Sequence, residues 1–175
     1  MSSRILALCG SLRRASMNAA LLRASARLAP AGMRIELFDG LAALPLFNPD
    51  LEAEMPTAAS RLQAAVREHD ALLIASPEYA HGVTAVIKNA LDWLVGDVDF
   101  PGKPVAIFNA SPRSLHAAAS LREILTTMSA TLVADACLDL PLRGRGMNEQ
   151  DIVDSPHAAA IRAALVKLAE GTRAA

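Results

Sequence analysis

The sequence predicts an α/β fold, with a five-stranded parallel sheet covered by helices on both faces. Short apolar runs alternate along the 175 residues with longer segments whose apolar residues recur at mostly helical spacing. The first of these runs, RILALC (4–9), is continuously apolar after Arg4, which is typical of a strand that is buried on both faces of a sheet. No internal repeat or change of composition divides the chain, so we expect a single domain over residues 1–175.

The first strand is predicted at 4–9 (RILALC), and the first helix at 18–29. Pro30 and Gly32 follow that helix, as residues that end helices do. The same alternation continues to the end of the chain, with strands at 34–38, 71–76, 103–110 and 131–141, and helices at 59–69, 84–95, 115–130 and 155–171.

Two other segments carry local signals. In the last predicted helix, Ser155 suits the N-cap, Pro156 the first helical position and Gly171 the end. The stretch 39–56 contains three prolines and is long for a connection inside a compact domain. A functional loop and a solvated connection both fit this stretch.

Composition excludes several classes of partner. Lys and Arg number 17 and Asp and Glu 18, so the formal net charge is −1, and only 3% of residues are aromatic. A chain without a basic excess or an aromatic platform is not expected to bind nucleic acid or an anionic membrane surface. No segment has the length of a membrane span or the pattern of a signal peptide, which predicts a cytoplasmic location.

The cysteines do not suggest metal or redox chemistry. Cys9 and Cys137 both lie in apolar runs, as buried structural thiols do. Two thiols cannot form a four-thiolate zinc or iron–sulfur site, and no spacing of His, Cys and carboxylates predicts a metal centre. We therefore expect no metal.

The topology directs attention to three loops. In a doubly wound sheet, ligands bind beyond the carboxyl ends of the strands, where the strand order reverses. The loops that follow the first, third and fourth strands are GSLRRASMN (10–18), SPEYAHGVT (76–84) and NASPRSLH (109–116).

The first loop suits a phosphate group. Ser11, Arg13, Ser16 and Asn18 offer side-chain donors just where a helix N-terminus favours an anion. Alone, Ser16 could be only an N-cap and Arg13 only a solvated side chain, but together they favour an anion site. The glycines of a dinucleotide fingerprint or a P-loop are absent, so a terminal phosphate monoester fits better than a pyrophosphate.

The second loop suits a flat ring. Pro77 fixes the backbone after the strand, and Tyr79 is the single tyrosine of the chain. Gly82 permits close approach of the backbone to a ligand. His81 alone is more typical of a loop hydrogen-bonding residue than of a catalytic base.

Three segments, GSLRRASMN, PEYAHGVTAVIKNALDW and GKPVAIFNASP, resemble the NADPH-dependent FMN reductase family of the flavodoxin-like superfamily, whose members are also described as quinone, chromate or azo-dye reductases. The resemblance covers roughly residues 4–130. It implies a flavodoxin-like three-layer α/β/α sandwich with strand order 2-1-3-4-5. It also implies bound FMN, NAD(P)H as electron donor, a small-molecule acceptor, and a homodimer or homotetramer.

The resemblance also implies roles for individual residues. The FMN phosphate would be held by Ser11, Arg13, Ser16 and Asn18. The edge of the isoalloxazine ring would lie along Pro77, Glu78, Tyr79, Ala80 and His81, with Gly82 closing the turn and Ser111 on the far side of the ring. The segment KNALDW (88–93) resembles a helix at the family's dimer interface, and Trp93 fits either that interface or the core.

The chain departs from the family pattern in three places. Ala80 stands where many members have Asn, and Thr84 and Ala85 stand where Pro-Gly is common. Residues 115–120 lack the glycines that often follow the fourth strand. These changes leave the local shape around the ring, and with it the choice of acceptor, open.

The resulting hypothesis is an FMN-dependent NAD(P)H oxidoreductase that reduces quinones, flavins, azo dyes or metal oxyanions. Because the cofactor carries the redox chemistry, no side-chain acid or base is required, and one open face of the ring implies ping-pong kinetics. The alternatives are a non-enzymatic FMN electron carrier and a flavin-binding sensor. Neither the physiological acceptor nor the preference between NADH and NADPH follows from the sequence.

Overall fold

A computed structural model describes residues 3–142 and 147–174 of the chain. Its strands are β1 (Ser3–Cys9), β2 (Met33–Leu37), β3 (Ala71–Ala75), β4 (Glu78–Tyr79), β5 (Gly82–Val83), β6 (Pro104–Asn109), β7 (Thr131–Leu132) and β8 (Leu138–Asp139). Its helices are α1 (Met17–Leu28), α2 (Thr57–Glu68), α3 (Ala85–Asp92), α4 (Leu115–Thr127), α5 (Glu149–Val153) and α6 (Ala158–Ala174).

The main sheet is parallel and has the order β2-β1-β3-β6-β7, with β8 also paired to β6. This confirms the predicted order 2-1-3-4-5, with β7 and β8 in the place of the fifth strand. The strand order reverses between β1 and β3, because β2 lies on one side of β1 and all later strands lie on the other. The loops that leave β1 and β3 therefore flank the predicted ligand position.

Helices cover both faces of the sheet and complete the three-layer sandwich. Side chains of β1 alternate between the two faces: Ile5 and Ala7 pack with α1, α5 and α6, whereas Leu6 and Leu8 pack with α2, α3 and α4. Strands β3 and β6 are buried along their whole length, as their continuous apolar sequences predict. Within the described ranges, no helix is both long and apolar enough to span a bilayer.

The fifth strand is not continuous, contrary to the prediction of a strand over 131–141. A 3-10 turn at Ala134–Ala136 separates β7 from β8, and Ala136 is buried under α6. The turn interrupts the ladder beside Ile107, whose N–H donates instead to Cys137 Sγ at 3.4 Å. The break therefore leaves that amide with a partner and gives α6 a place to pack.

The last helix also differs from the prediction of 155–171. The chain forms α5 first, and α6 begins at Ala158, where the N–H of that residue donates to the Ser155 carbonyl. Gly171 lies inside α6 and does not end it. A Cβ at Gly171 would lie 2.7 Å from Val133 Cγ2, so the glycine permits α6 to pack closely on the chain after β7.

The long stretch 39–56 is fastened to α3. The Pro45 carbonyl accepts hydrogen bonds from Asn89 Nδ2 at 2.9 Å and from Trp93 Nε1 at 2.8 Å, and Phe47 N donates to Asn89 Oδ1 at 2.8 Å. Trp93 is 2% exposed, so it belongs to the core of the chain. Asn89 and Trp93 of the segment KNALDW thus bind a loop of their own chain.

Candidate functional site

A cleft of about 930 Å³ opens at the carboxyl edge of the sheet. It lies between the loops that leave β1, β3 and β6, as the topology predicts. Its lining residues are Ser11, Arg13, Ala15, Ser16, Met17, Asn18, Pro77, Tyr79, Arg113 and Met147. Six residues predicted for the site are among them: Ser11, Arg13, Ser16, Asn18, Pro77 and Tyr79.

One wall of the cleft is the N-terminus of α1. Ser16 is the N-cap, and its Oγ accepts a hydrogen bond from Ala19 N at 3.2 Å. Helix geometry leaves the N–H groups of Met17 and Asn18 without intrahelical acceptors. The N-capping interpretation of Ser16 is therefore correct, and the capped helix end still presents donors and a positive dipole to the cleft.

Asn18 has a buried side chain whose oxygen is left unpaired within the described part of the chain. It is 8% exposed, and no described residue forms a hydrogen bond with its Oδ1. A buried amide atom left unpaired costs about 1–3 kcal/mol. A ligand that carries both hydroxyl donors and phosphate acceptors would relieve this cost, and FMN carries both, so the residues present fit that cofactor.

The remaining residues of this wall are Ser11 and Arg13. Arg13 N donates to Ser11 Oγ at 3.4 Å, which fixes the turn before α1. The Arg13 side chain is exposed and forms no ion pair with the described carboxylates. Its guanidinium thus keeps its charge available for an anion in the cleft.

The loops after β1 and β3 meet closely at Gly10. A Cβ on Gly10 would lie 2.1 Å from Ser76 Oγ and 2.8 Å from Ile87 Cγ1. Gly10 N also donates to the Ala75 carbonyl at 2.8 Å. Only a residue without a side chain therefore permits this contact between the two loops.

The second wall contains a short hairpin that the sequence did not predict. Strands β4 and β5 pair antiparallel, and the two turn residues, Ala80 and His81, have φ of 49° and 59°. Positive φ at both central positions is the signature of a type I′ turn, which favours Asn and Gly. Here two ordinary L-residues hold the left-handed conformation, which is a source of local strain.

Tyr79 and Glu78 leave β4 in different directions. Tyr79 is 55% exposed and lines the cleft, so its ring is accessible to a flat ligand. Glu78 does not line the cleft; its Oε2 accepts a hydrogen bond from Ala117 N, in the first turn of α4, at 2.8 Å. The carboxylate thus satisfies a helix N-terminus and ties the loop after β3 to the loop after β6.

His81 makes a second tie between these loops. Its ring stacks on the ring of His116 in α4, with centroids 4.4 Å apart and planes 15° apart. Neither histidine lines the cleft, and the same holds for Ala80 and Gly82. The predicted contacts of Ala80, His81 and Gly82 with a flavin edge remain predictions.

The third wall is the loop after β6. Ser111 N donates to Asn109 Oδ1 at 3.1 Å, and Arg113 N donates to Ser111 Oγ at 3.3 Å. Ser111 itself does not line the cleft, whereas Arg113 does. Arg113 and Met147 are lining residues that sequence reasoning missed. Arg113 lies within a loop that the topology singled out, so its charge was the available signal.

Cys9 lies at the end of β1, just before the cleft. Its Sγ donates to the Ser11 carbonyl at 3.5 Å. Burial raises the pKa of the Cys9 thiol above its usual value. The thiol form is therefore favoured, and Cys9 does not have the electropositive, low-pKa setting of a reactive cysteine.

The chain is similar to curated reductases. It is 43% identical over 111 residues to an NAD(P)H-dependent FMN reductase of Pseudomonas aeruginosa, a match that covers 62% of the chain and 60% of the length of that protein. It is 33% identical over 137 residues to a quinone reductase of Escherichia coli, covering 74% of the chain and 73% of that protein.

Among solved structures, the fold is similar to that of FerB, a flavoenzyme NAD(P)H:(acceptor) oxidoreductase from Paracoccus denitrificans. The TM-score is 0.77 at 24% identity, over 97% of this chain and 98% of that one. This similarity confirms the predicted flavodoxin-like architecture. The family model described as NADPH-dependent FMN reductase matches residues 3–141, and the chain therefore belongs to that family.

Proposed function

We propose that the chain is an FMN-dependent NAD(P)H oxidoreductase that reduces quinones or similar small acceptors. The observation that carries the proposal is the cleft wall at the N-terminus of α1. There, the buried Asn18, whose Oδ1 has no partner among the described residues, lies beside free helix N–H groups and Arg13, which has no carboxylate partner in the same ranges. This combination suits a phosphate-bearing ligand with hydroxyl groups.

Different walls of the cleft would bind different parts of FMN. Ser11, Arg13, Ser16 and Asn18 would bind the phosphate and the neighbouring hydroxyl groups, and Tyr79 would lie near the ring. When bound, FMN would supply the redox chemistry, namely hydride transfer from NAD(P)H and electron transfer to the acceptor. The overall reaction takes NAD(P)H, a proton and a quinone to NAD(P)⁺ and the hydroquinone.

The protein's own part is to bind and orient. Among the described residues, no carboxylate or histidine lines the cleft, so no side chain of these types is placed as a general acid or base. Tyr79 is exposed in the cleft, so its ring is accessible from solvent. Because one cleft would serve donor and acceptor in turn, parallel initial-rate plots are expected. Intersecting plots would contradict this kinetic scheme.

The direct test is the purified protein itself. A flavin spectrum, FMN as the released cofactor, and rapid NAD(P)H oxidation with a quinone are expected. Bound FMN without turnover would favour an electron carrier or a sensor instead. The carrier alternative is weaker because a net charge of −1 and an arginine in the phosphate loop differ from the acidic flavodoxins that the alternative resembles.

Arg13→Ala tests the phosphate assignment. Loss of a charge-assisted hydrogen bond should weaken FMN binding by about 1.5–3 kcal/mol, or roughly 10- to 150-fold in Kd. Arg14→Ala is the matched control, since Arg14 is the neighbouring exposed arginine and does not line the cleft. Titration of each flavin-free variant with FMN, followed by flavin fluorescence, measures the Kd of both variants. Equal Kd values for wild type and Arg13→Ala would refute the assignment.

Two further properties belong to this proposal. A homodimer or homotetramer is expected from the family resemblance, and light scattering of the holoprotein would test it. A cytoplasmic location, where NAD(P)H is available as donor, would be tested by cell fractionation.

A further inference from the structure

We propose that Arg113 binds a phosphate group of the pyridine-nucleotide donor. The inference rests on the proposed function, because it assigns a second anionic ligand to the same cleft. Arg113 has no role in the residue assignments that the family resemblance implies. It is an exposed residue in the loop between β6 and α4.

The charges of the cleft are the first argument. Among the described residues, two arginines line it, and no aspartate or glutamate does. One phosphate at the N-terminus of α1 accounts for Arg13, Ser16 and Asn18. Arg113 is then a second cation that the FMN phosphate does not require. Like Arg13, it forms no ion pair with any carboxylate in the described ranges.

The two arginines also lie in loops that leave different strands of the sheet. Arg13 follows β1 and Arg113 follows β6, and β3 lies between these strands. Neighbouring strands are about 4.8 Å apart, so the two loops leave the sheet about 10 Å from each other. A cleft of about 930 Å³ is near the upper end of the range for small-molecule sites, which is roughly 300–1,000 Å³. A phosphate bound at the N-terminus of α1 would therefore leave Arg113 free to bind a second anionic group.

The loop that carries Arg113 is ordered by its own hydrogen bonds. Asn109 Nδ2 donates to Asp139 Oδ1 at 2.9 Å, while Asn109 Oδ1 accepts from Ser111 N at 3.1 Å. Ser111 in turn accepts from Arg113 N through Oγ and from Ser114 N through its carbonyl, at 3.3 and 3.1 Å. These contacts hold the backbone of Arg113 in place without engaging its guanidinium.

The chemistry of the reaction partners decides which ligand suits this cation. NADH and NADPH both carry a pyrophosphate, NADPH also carries a 2′-phosphate, and a simple quinone carries no charge. Guanidinium binds phosphate oxygens through two parallel N–H groups, whereas a neutral quinone offers no such partner. The donor is therefore the expected ligand of Arg113, through either its pyrophosphate or its 2′-phosphate.

Steady-state kinetics of the FMN-loaded enzyme with an uncharged quinone test this inference. For Arg113→Gln, the KM for the donor should rise about tenfold or more, with the quinone KM and the FMN Kd unchanged. Arg113→Lys keeps the charge and should recover part of the loss. Arg162→Gln removes the same charge from the exposed face of α6, away from the cleft lining, and should behave as wild type.

The two donors distinguish the two phosphates. A rise confined to NADPH assigns Arg113 to the 2′-phosphate, and an equal rise for NADH assigns it to the pyrophosphate; both results support the inference. Unchanged donor KM values overturn it. A weaker FMN Kd overturns it as well, because Arg113 would then belong to the FMN site. A rise in the quinone KM alone would place the acceptor there and would also overturn it.

A binding measurement separates this inference from the proposed function. Calorimetric titration of the FMN-loaded protein with ADP and with its 2′-phosphorylated analogue requires no turnover. Weaker binding of either fragment to Arg113→Gln supports the inference even if the wild type oxidises no NAD(P)H, in which case only the proposed activity fails. If neither fragment binds the wild type, or if both proteins bind equally, the inference fails even when the enzyme is active.

Discussion

The strain in the turn at Ala80 and His81 predicts how a glycine substitution changes the free energy of unfolding. Ala80 has φ of 49° in the turn between β4 and β5. The left-handed region costs an L-residue roughly 1–2 kcal/mol, and glycine avoids this cost. Glycine also gains freedom in the unfolded chain, worth roughly 0.5–1 kcal/mol against folding. The difference between the middle values of these ranges is about 0.75 kcal/mol, so Ala80→Gly should stabilise the fold by roughly that amount.

Urea unfolding of the flavin-free protein measures this effect, since bound ligand would add its own stabilisation. With a slope of about 2 kcal/mol/M, the midpoint should rise by roughly 0.3–0.5 M. Ala163→Gly is the matched control, because Ala163 is exposed inside α6, where the same substitution should cost about 1 kcal/mol. If both variants lose stability alike, Ala80 does not adopt a left-handed conformation, and the strain argument is wrong.

Two further predictions concern residues beside the cleft. Glu78→Ala removes the carboxylate that accepts a hydrogen bond from Ala117 N at 2.8 Å, and should lower the free energy of unfolding by about 1–3 kcal/mol in the same urea assay. Glu78→Gln keeps an acceptor and should lose less stability. Equal losses in the two variants would contradict the helix-capping role. Because burial raises the pKa of the Cys9 thiol, its alkylation in a Cys137→Ser background should reach half of its maximal rate at a higher pH than that of a free small-molecule thiol. A midpoint at or below that of the free thiol would contradict the shielding of Cys9.

The architecture followed from local patterns because burial on both faces leaves a direct mark on the sequence. The apolar runs of β3 and β6 predicted buried strands, and the alternation with helices indicated parallel pairing, whereas the strand order came from the family resemblance. The topological rule then placed the loops after β1, β3 and β6 at one edge, and the cleft lies there. The alternation can be recognised in the sequence, and the rule requires in addition only the strand order that the resemblance implied, so both can be applied before any contact is known.

Features that depend on distant contacts were not predictable in this way. Residues 131–141 are apolar enough for one strand, and the break at Ala134–Ala136 depends on packing against α6. The turn at Ala80 and His81 lacks the Asn-Gly pair that signals a type I′ turn. The cleft-lining position of Arg113 depends on the placement of β6 beside β3, and its charge acquires a meaning only next to Arg13.

The contact at Gly10 has a consequence for how this cleft can change. The loop that carries Arg13 and the loop that carries Tyr79 touch where Gly10 faces Ser76, and a methyl group would not fit between them. The width of the cleft is therefore set in part by a missing side chain. Any larger residue at Gly10 would wedge the two ligand-facing loops apart together, so the phosphate end and the ring end of the cleft cannot be adjusted independently through this position.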